Sequence, residues 1–514
     1  KQLDYSMSAL SISGESRSIQ YFLPCLEGPV RVRLNADSRK AIRASHSILA
    51  QLLKKGKKIY GVTTGFGDLS KVTIDADDRQ KLQLNLVRSH ATGVGKSFDP
   101  GVTRLILFLK LLTWAKGVSG VRLELVSLVR DLLNHDILPV IPRQGSVGAS
   151  GDLAPLAHMA LPLIGEGLVH FQDRIMPAML AMKEVDLEPL VLGPKEGISL
   201  INGTQVSTAI GIKACLEAES LLKIADLVGA ISVEASLSSR SVFKSSIHKL
   251  KQHPGQRLVA ANVWNLLGDS EIVLSHKDCD RVQDPYSFRC IPHVHGISRD
   301  NYNGAKEIVQ NEANSVSDNP LIMPNTQIMN SGHFHAESIA QAMDILAIAI
   351  AELGSISERR LHYFMKGIED RVPPFVASNP GIESGFMTAH ITAASLVSEN
   401  KVLTHPASVD TISTSGGQED FVSMAPWAGR KCLRVIDNVR NILAIELLTS
   451  ATINELFHAP LKMARGTQPV IKLLKKHVHF SRGDRPLHTD IKVVNDLIKT
   501  KQILSLVNKN YELN

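Results

Sequence analysis

The chain has 514 residues, enough for two or three ordinary domains or one large core with lobes. An apolar content of 44% and a charged content of 21% describe a globular protein and exclude a disordered one. The formal charge of +7 is mildly basic, but Lys54, Lys55, Lys57 and Lys58, like Lys472, Lys475 and Lys476, have no interleaved aromatic residues. These clusters read as solvated helix faces, and no nucleic-acid partner is expected.

In chain order, residues 38–55 carry a helical pattern that the glycine-rich run G-K-K-I-Y-G-V-T-T-G-F-G-D breaks at 56–68. Helical periodicity returns over 77–87, 100–114 and 121–134. Pro139, Pro142 and Gly145 then form an irregular lead-in to V-G-A-S-G-D-L-A-P-L-A-H at 147–158, and a short strand-like passage fills 169–176. After Asn202 the character changes. Residues 208–235, 303–314, 336–363, 391–403 and 431–449 are helical, with few turn residues inside. In the last of these, Leu433, Ile436, Val439, Leu443 and Leu447 recur three or four apart, as the packed face of a bundle requires. The pattern predicts a mainly α chain with a loop-rich N-terminal lobe over 1–204 and a long helical bundle with C-terminal helices over 205–514. There is no internal repeat.

The most apolar stretch, 339–353, is interrupted by Gln341 and Asp344 and is too short to span a bilayer comfortably. It is predicted to be a buried core helix, with no membrane partner. The five cysteines, Cys25, Cys215, Cys279, Cys290 and Cys432, are odd in number, scattered and without a C-x-x-C, which fits a reducing compartment. Lys1 in place of methionine reads as a trimmed start with no leader pattern after it, and the expected location is the cytoplasm.

The stretch with the most chemical content is Ala149-Ser150-Gly151. Without a Cβ, Gly151 lets its amide nitrogen approach the carbonyl carbon of Ala149 if the backbone bends sharply. Ring closure with loss of water gives an imidazolone, and dehydration of Ser150 leaves an exocyclic methylidene, an electrophile that ordinary side chains cannot supply. By itself the triplet reads more readily as a small-residue turn before a helix.

Other candidates are spread along the chain. Tyr60 sits at the mouth of the Gly61, Gly65, Gly67 loop, where a tyrosine can act as acid or base or be a surface residue. Ser89 and His90 end a helical pattern, as a structural cap also would. Gly95-Lys96-Ser97 resembles the tail of a phosphate loop, but His90 occupies the place of its first glycine, so a phosphate loop is rejected. Asn202 in I-N-G-T-Q is a buried amide with either a structural or a catalytic role. In R-V-Q-D-P-Y-S-F-R-C, Gln283, Tyr286 and Arg289 are three apart and would share one helical face, with Arg289 offering a planar fork for a carboxylate. The His-x-His pairs at 293/295, 333/335 and 477/479 lack the H-E-x-x-H spacing or a cysteine set, so no metal is expected. Glu419 in S-G-G-Q-E-D-F-V-S-M is a solvated residue or, facing a pocket, a proton acceptor.

The run S-V-G-A-S-G-D-L-A-P-L-A-H resembles the signature of the aromatic amino acid ammonia-lyases, and the motifs from Tyr60 to Leu448, about three quarters of the chain, follow in that family's order. The resemblance implies a mainly α fold shared with the fumarase–aspartase group and a homotetramer with shared active sites. It further implies a methylidene-imidazolone made by the chain from Ala149, Ser150 and Gly151, with no external cofactor. It assigns catalysis to Tyr60, Tyr286 and Glu419. Ser89 and His90 fall beside the substrate ring, Asn202 and Gln283 in substrate binding, and Arg289 on the carboxylate. In G-H-F-H-A-E it sets Phe334 near the methylidene ring. Ser89-His90 and Glu419 match the branch that acts on L-histidine, giving trans-urocanate and ammonia. His333 stands where the family has asparagine, and Phe421 where that branch has histidine. The alternatives are a tyrosine or phenylalanine lyase or 2,3-aminomutase of the same family, a catalytically silent ligand-binding member and, third, a metal-dependent hydrolase.

Overall fold

The structure, a computed structural model, describes residues 8–277 and 279–513. Residues 1–7, which open the predicted N-terminal lobe, and residues 278 and 514 lie outside the described residues. The chain divides into two compact units. The first is Lys1–Leu216, Lys306–Asp344 and Pro406–Arg430, so it takes in all of 1–204 and adds later segments. The second is Glu217–Ala305, Ile345–His405 and Lys431–Asn514.

In the first unit, Asp99 caps the helix Pro100–Ala115 by accepting the Val102 N–H, and proline at its first position presets the backbone. Every residue from Gly101 to Ala115 is buried, so this helix is a core element on all sides. The helix Ala36–Lys54 is capped by Asn35, which accepts the Ser38 N–H. The strand-like passage at 169–176 is a hairpin, Leu168–Phe171 against Arg174–Pro177, with Leu138–Pro139 as a third antiparallel strand. Its turn places Gln172 and Asp173 at positive φ. Among the strands that the sequence pattern did not mark, Ser8–Ile12 runs parallel to Val30–Leu34, where V-R-V-R-L alternates buried and exposed.

The second unit is built of long helices. In Ala425–Leu456 the predicted positions Ile436, Val439, Leu443 and Leu447 are buried, while Leu433 at the rim is half-buried. Gly354 sits where a Cβ would come within 3.0 Å of Val439, the close approach that lets the helix Glu337–Met365 pack there. Asn438 donates to Asn400 on the helix Met387–Leu403 at 2.9 Å. The apolar stretch at 339–353 is part of Glu337–Met365, which by length and composition alone could cross a membrane. This corrects the expectation that it is too short, since the helix continues through the polar S-I-S-E-R-R. It is nevertheless a core helix, because 72% of its most apolar window is buried.

Candidate active site

The Ala-Ser-Gly segment is bent and clamped by its neighbours. Gly148 has φ +67, and a Cβ there would stand 2.3 Å from the Ser423 hydroxyl, which itself donates to the Gly148 carbonyl at 3.0 Å. Gly151 has φ +83, and a Cβ there would stand 2.2 Å from the Gly203 carbonyl oxygen. Only glycine permits this conformation and approach. The Asp152 N–H donates to the Gly203 carbonyl at 2.8 Å. The Asp152 carboxylate in turn accepts the N–H groups of Val206 and Ser207 in the first turn of the helix Gln205–Ala235. Burial pushes the Asp152 carboxyl up to about 6, against the pull of these donors.

This segment forms part of the wall of a cavity of about 1370 Å³ inside the first unit. Of the predicted residues, Tyr60, Ser89, His90, Ala149, Ser150, Asn202, Phe334 and Glu419 line it. The Ser150 hydroxyl donates to Glu419 Oε1, across 269 residues of sequence. The other carboxylate oxygen, Oε2, accepts the Thr414 hydroxyl at 2.9 Å, and the backbones of Thr414 and Glu419 form a bridge. His90 ends the helix Arg79–His90 with Nδ1 2.8 Å from the Leu86 carbonyl and 3.1 Å from the Ser89 hydroxyl. Burial holds His90 below the ordinary imidazole range, partly offset by the Leu86 carbonyl and the Glu419 charge. Asn202 Nδ2 donates to the Asn319 carbonyl at 2.9 Å. The Tyr60 hydroxyl accepts the Gly67 N–H at 2.9 Å, and its ring meets Phe66 edge-on. The phenol keeps its proton free to donate.

Gly151 belongs to the same segment and pairs with Gly203, but it is not among the residues lining the cavity. Gln283, Tyr286 and Arg289 lie in the second unit and are not part of this wall. The helix there is the single turn Tyr286–Arg289, so the shared face holds for only two of the three. The Arg289 guanidinium lies over the Tyr286 ring at 4.6 Å. Gln283 sits in irregular backbone before Pro285, which cannot donate to a preceding turn. Tyr286 is 71% exposed, and Arg289 Nε is buried without a partner.

The sequence reading did not single out several residues that matter here. Thr414 holds Glu419 from a loop with no periodicity to mark it. His335, weighed in the sequence only as a metal ligand, lines the cavity, stacks on Phe421 at 6.0 Å and bonds the Phe421 carbonyl at 3.1 Å, whereas His333 is exposed. Asn319 anchors Asn202, and Leu82, Leu86 and Ile198 give the cavity apolar wall. Such a wall excludes water and strengthens each polar contact inside it.

The model of the family described as "Aromatic amino acid lyase" matches residues 18–476. The histidine ammonia-lyase of Myxococcus xanthus is 43% identical over 503 residues, covering 98% of this chain and 99% of the relative. Among solved structures, histidine ammonia-lyase from Trypanosoma cruzi superposes with a TM-score of 0.89 at 36% identity, over 98% of this chain and 95% of that one. Tyrosine aminomutase from Streptomyces globisporus superposes with a TM-score of 0.92 at 32% identity, over 98% of this chain and 100% of that one.

Proposed function

The chain belongs to the aromatic amino acid lyase family, and from that premise we propose that it eliminates ammonia from L-histidine, without oxidation, to give trans-urocanate. It is a carbon–nitrogen lyase. The observation that carries the choice of substrate is the pairing of His90 and Glu419 on one cavity wall, with Glu419 against Ser150. An imidazole ring carries an N–H that the Glu419 carboxylate, on the same wall as His90, can accept. A phenyl ring has no donor for that carboxylate and would desolvate it with no new hydrogen bond in return.

The triplet fits a methylidene-imidazolone made from Ala149, Ser150 and Gly151. Gly151 is held at positive φ in a cradle that a Cβ would fill, and Ala149 is buried. When formed, that group supplies the electrophile that turns the substrate's nitrogen into a leaving group. The chain's own residues do the rest. His90 and Glu419 orient the imidazole, and Ser89 fixes His90 through Nδ1. Asn202 and Phe334 complete the wall beside the triplet. Tyr60 passes a proton through its free O–H, and Glu419 or Tyr286 takes the β-proton. Arg289 clamps the carboxylate and Gln283 assists binding. These last three residues lie outside the wall of one chain's cavity, and a homotetramer with shared active sites accounts for their use. Among the described residues no disulfide joins the five cysteines, which supports a reducing, cytoplasmic setting.

The test is ultraviolet absorbance of the purified protein with L-histidine, L-tyrosine or L-phenylalanine in parallel. A urocanate band with histidine alone is the expected result. A cinnamate-type band with tyrosine or phenylalanine would overturn the substrate and favour the second branch, toward which Phe421 and the aminomutase likeness point. Silence in all three, from a chain of full mass, would mean a silent member.

A further inference from the structure

Behind the triplet lies a buried cation that the proposed mechanism does not use. Lys110 comes from the all-buried helix Pro100–Ala115 and has a side chain with no solvent exposure. Its ammonium donates to two backbone carbonyls, Asn202 at 2.7 Å and Ser199 at 3.1 Å, where the helix Glu196–Ile201 ends. A cation is well placed against the terminal carbonyls of a helix. The next residue, Gly203, pairs with Gly151 as a parallel bridge and accepts the Asp152 N–H. Gly203 is itself fixed from behind, since a Cβ there would stand 2.2 Å from the Ser317 carbonyl oxygen. The Ser317 hydroxyl accepts the Thr204 N–H at 3.2 Å and Gln205 Nε2 at 2.9 Å. The segment that the triplet's glycine leans on is thus pinned at one end by Lys110 and at the other by Ser317.

We propose that residues 202–205 are a template against which the Ala149–Gly151 bend is held for ring closure, and that Lys110 is the positioning residue that fixes this template. The inference rests on the prosthetic-group reading above. In the closure, the Gly151 nitrogen bonds to the Ala149 carbonyl carbon, and that carbonyl oxygen leaves as water with the Gly151 N–H and Ser150 N–H protons, leaving a C=N double bond between the Ala149 carbon and the Ser150 nitrogen. The Ser150 Cα–H and Cβ–Oγ bonds then break, and the second water leaves. Lys110 takes no part in these bond changes. It removes the freedom of the carbonyls that Gly151 must approach, and effective closure of a strained backbone depends on such preorganisation. Burial pulls the Lys110 amine down to about 7, with Asp318 and Asp152 opposing that fall.

The experiment is intact mass under denaturing conditions, taken over time after synthesis on the folded fraction of full-length chain, for the unsubstituted protein, Lys110→Met, Lys110→Arg and Ser317→Ala, with Ser150→Ala as the standard that cannot lose the second water. Loss of two waters should be at least tenfold slower in Lys110→Met and several-fold slower in Ser317→Ala. Lys110→Arg, which keeps charge and donors, should recover most of the rate. Ser317→Ala removes only a hydroxyl, so it decides the matter if Lys110→Met yields no folded fraction. Either folded variant losing both waters at the unsubstituted rate would overturn the proposal. A full mass for the unsubstituted protein would instead take down the prosthetic-group reading itself.

Discussion

Two glutamates in this molecule show how a buried carboxylate becomes structure in one place and a site in another. Glu446, in the second unit, is fully buried, and both oxygens are saturated: Arg360 bonds them as a fork while Ser232 and Ser357 donate from neighbouring helices. Glu419, on the cavity wall of the first unit, has one donor per oxygen, Ser150 and Thr414, and open volume beside it. A saturated carboxylate has no capacity left for a ligand, and removing its partner strands a charge in the core. An unsaturated one facing a cavity costs little to the fold and keeps acceptor sites for a substrate.

Substitutions should separate the two roles. The largest effect belongs to Ser150→Ala, which cannot lose the second water and should lower ammonia release from L-histidine by at least about 10³-fold, the scale of losing a principal catalytic group. Its melting temperature should hardly move. Arg360→Met should do the reverse, costing roughly 3–5 kcal/mol in chemical denaturation by leaving Glu446 buried and unpaired, with activity per folded molecule retained. Glu419→Gln should lower kcat/KM for L-histidine by about 10²–10³-fold at near-normal stability; a large stability loss would make it another Glu446.

A third carboxylate sharpens the contrast through pH. Glu234, in the second unit, is fully buried with no cation paired to it among the described residues, and burial raises it to about 7 despite donors from Ala464 and Thr467. A raised folded value means that the fold favours the protonated acid. That stability is complete below the ordinary carboxyl value and is lost as pH rises through about 7. Relative to Glu234→Gln, the unsubstituted protein should therefore lose roughly 2–3 kcal/mol of unfolding free energy between pH 4.5 and 7, read from denaturant curves at each pH. Parallel curves would dismiss the assignment. The smallest effect is expected for Thr414→Val, which removes one donor from Glu419 and should reduce kcat/KM about fivefold, near 1 kcal/mol, without a change in mass.

What could be read from the sequence follows the range of the forces involved. Apolar periodicity marks the helix Ala425–Leu456 because Ile436, Val439, Leu443 and Leu447 are buried by their own spacing. It misses the first half of Ile291–Ala313, where the expected helix begins only at 303. There the buried face includes His295, Ser298 and Arg299, with His295 and Arg299 bonded to Asp226, and polar residues turned inward erase an apolar stripe. Gln283 was given the face of Tyr286 and Arg289, but Pro285 starts that turn after it.

By itself the sequence determined the local matters: where helices run, that Gly148 and Gly151 free the backbone at Ala149 and Ser150, and which side chains carry usable chemistry. The tertiary structure alone decided that Ser150 meets Glu419 across 269 residues, that Thr414 holds the far oxygen, and that Lys110 reaches Asn202 from inside a core helix. Periodicity and turn chemistry act over a few residues along the chain. A hydrogen bond between distant segments exists only once packing has set their distance, and nothing in either segment's own pattern encodes the partner.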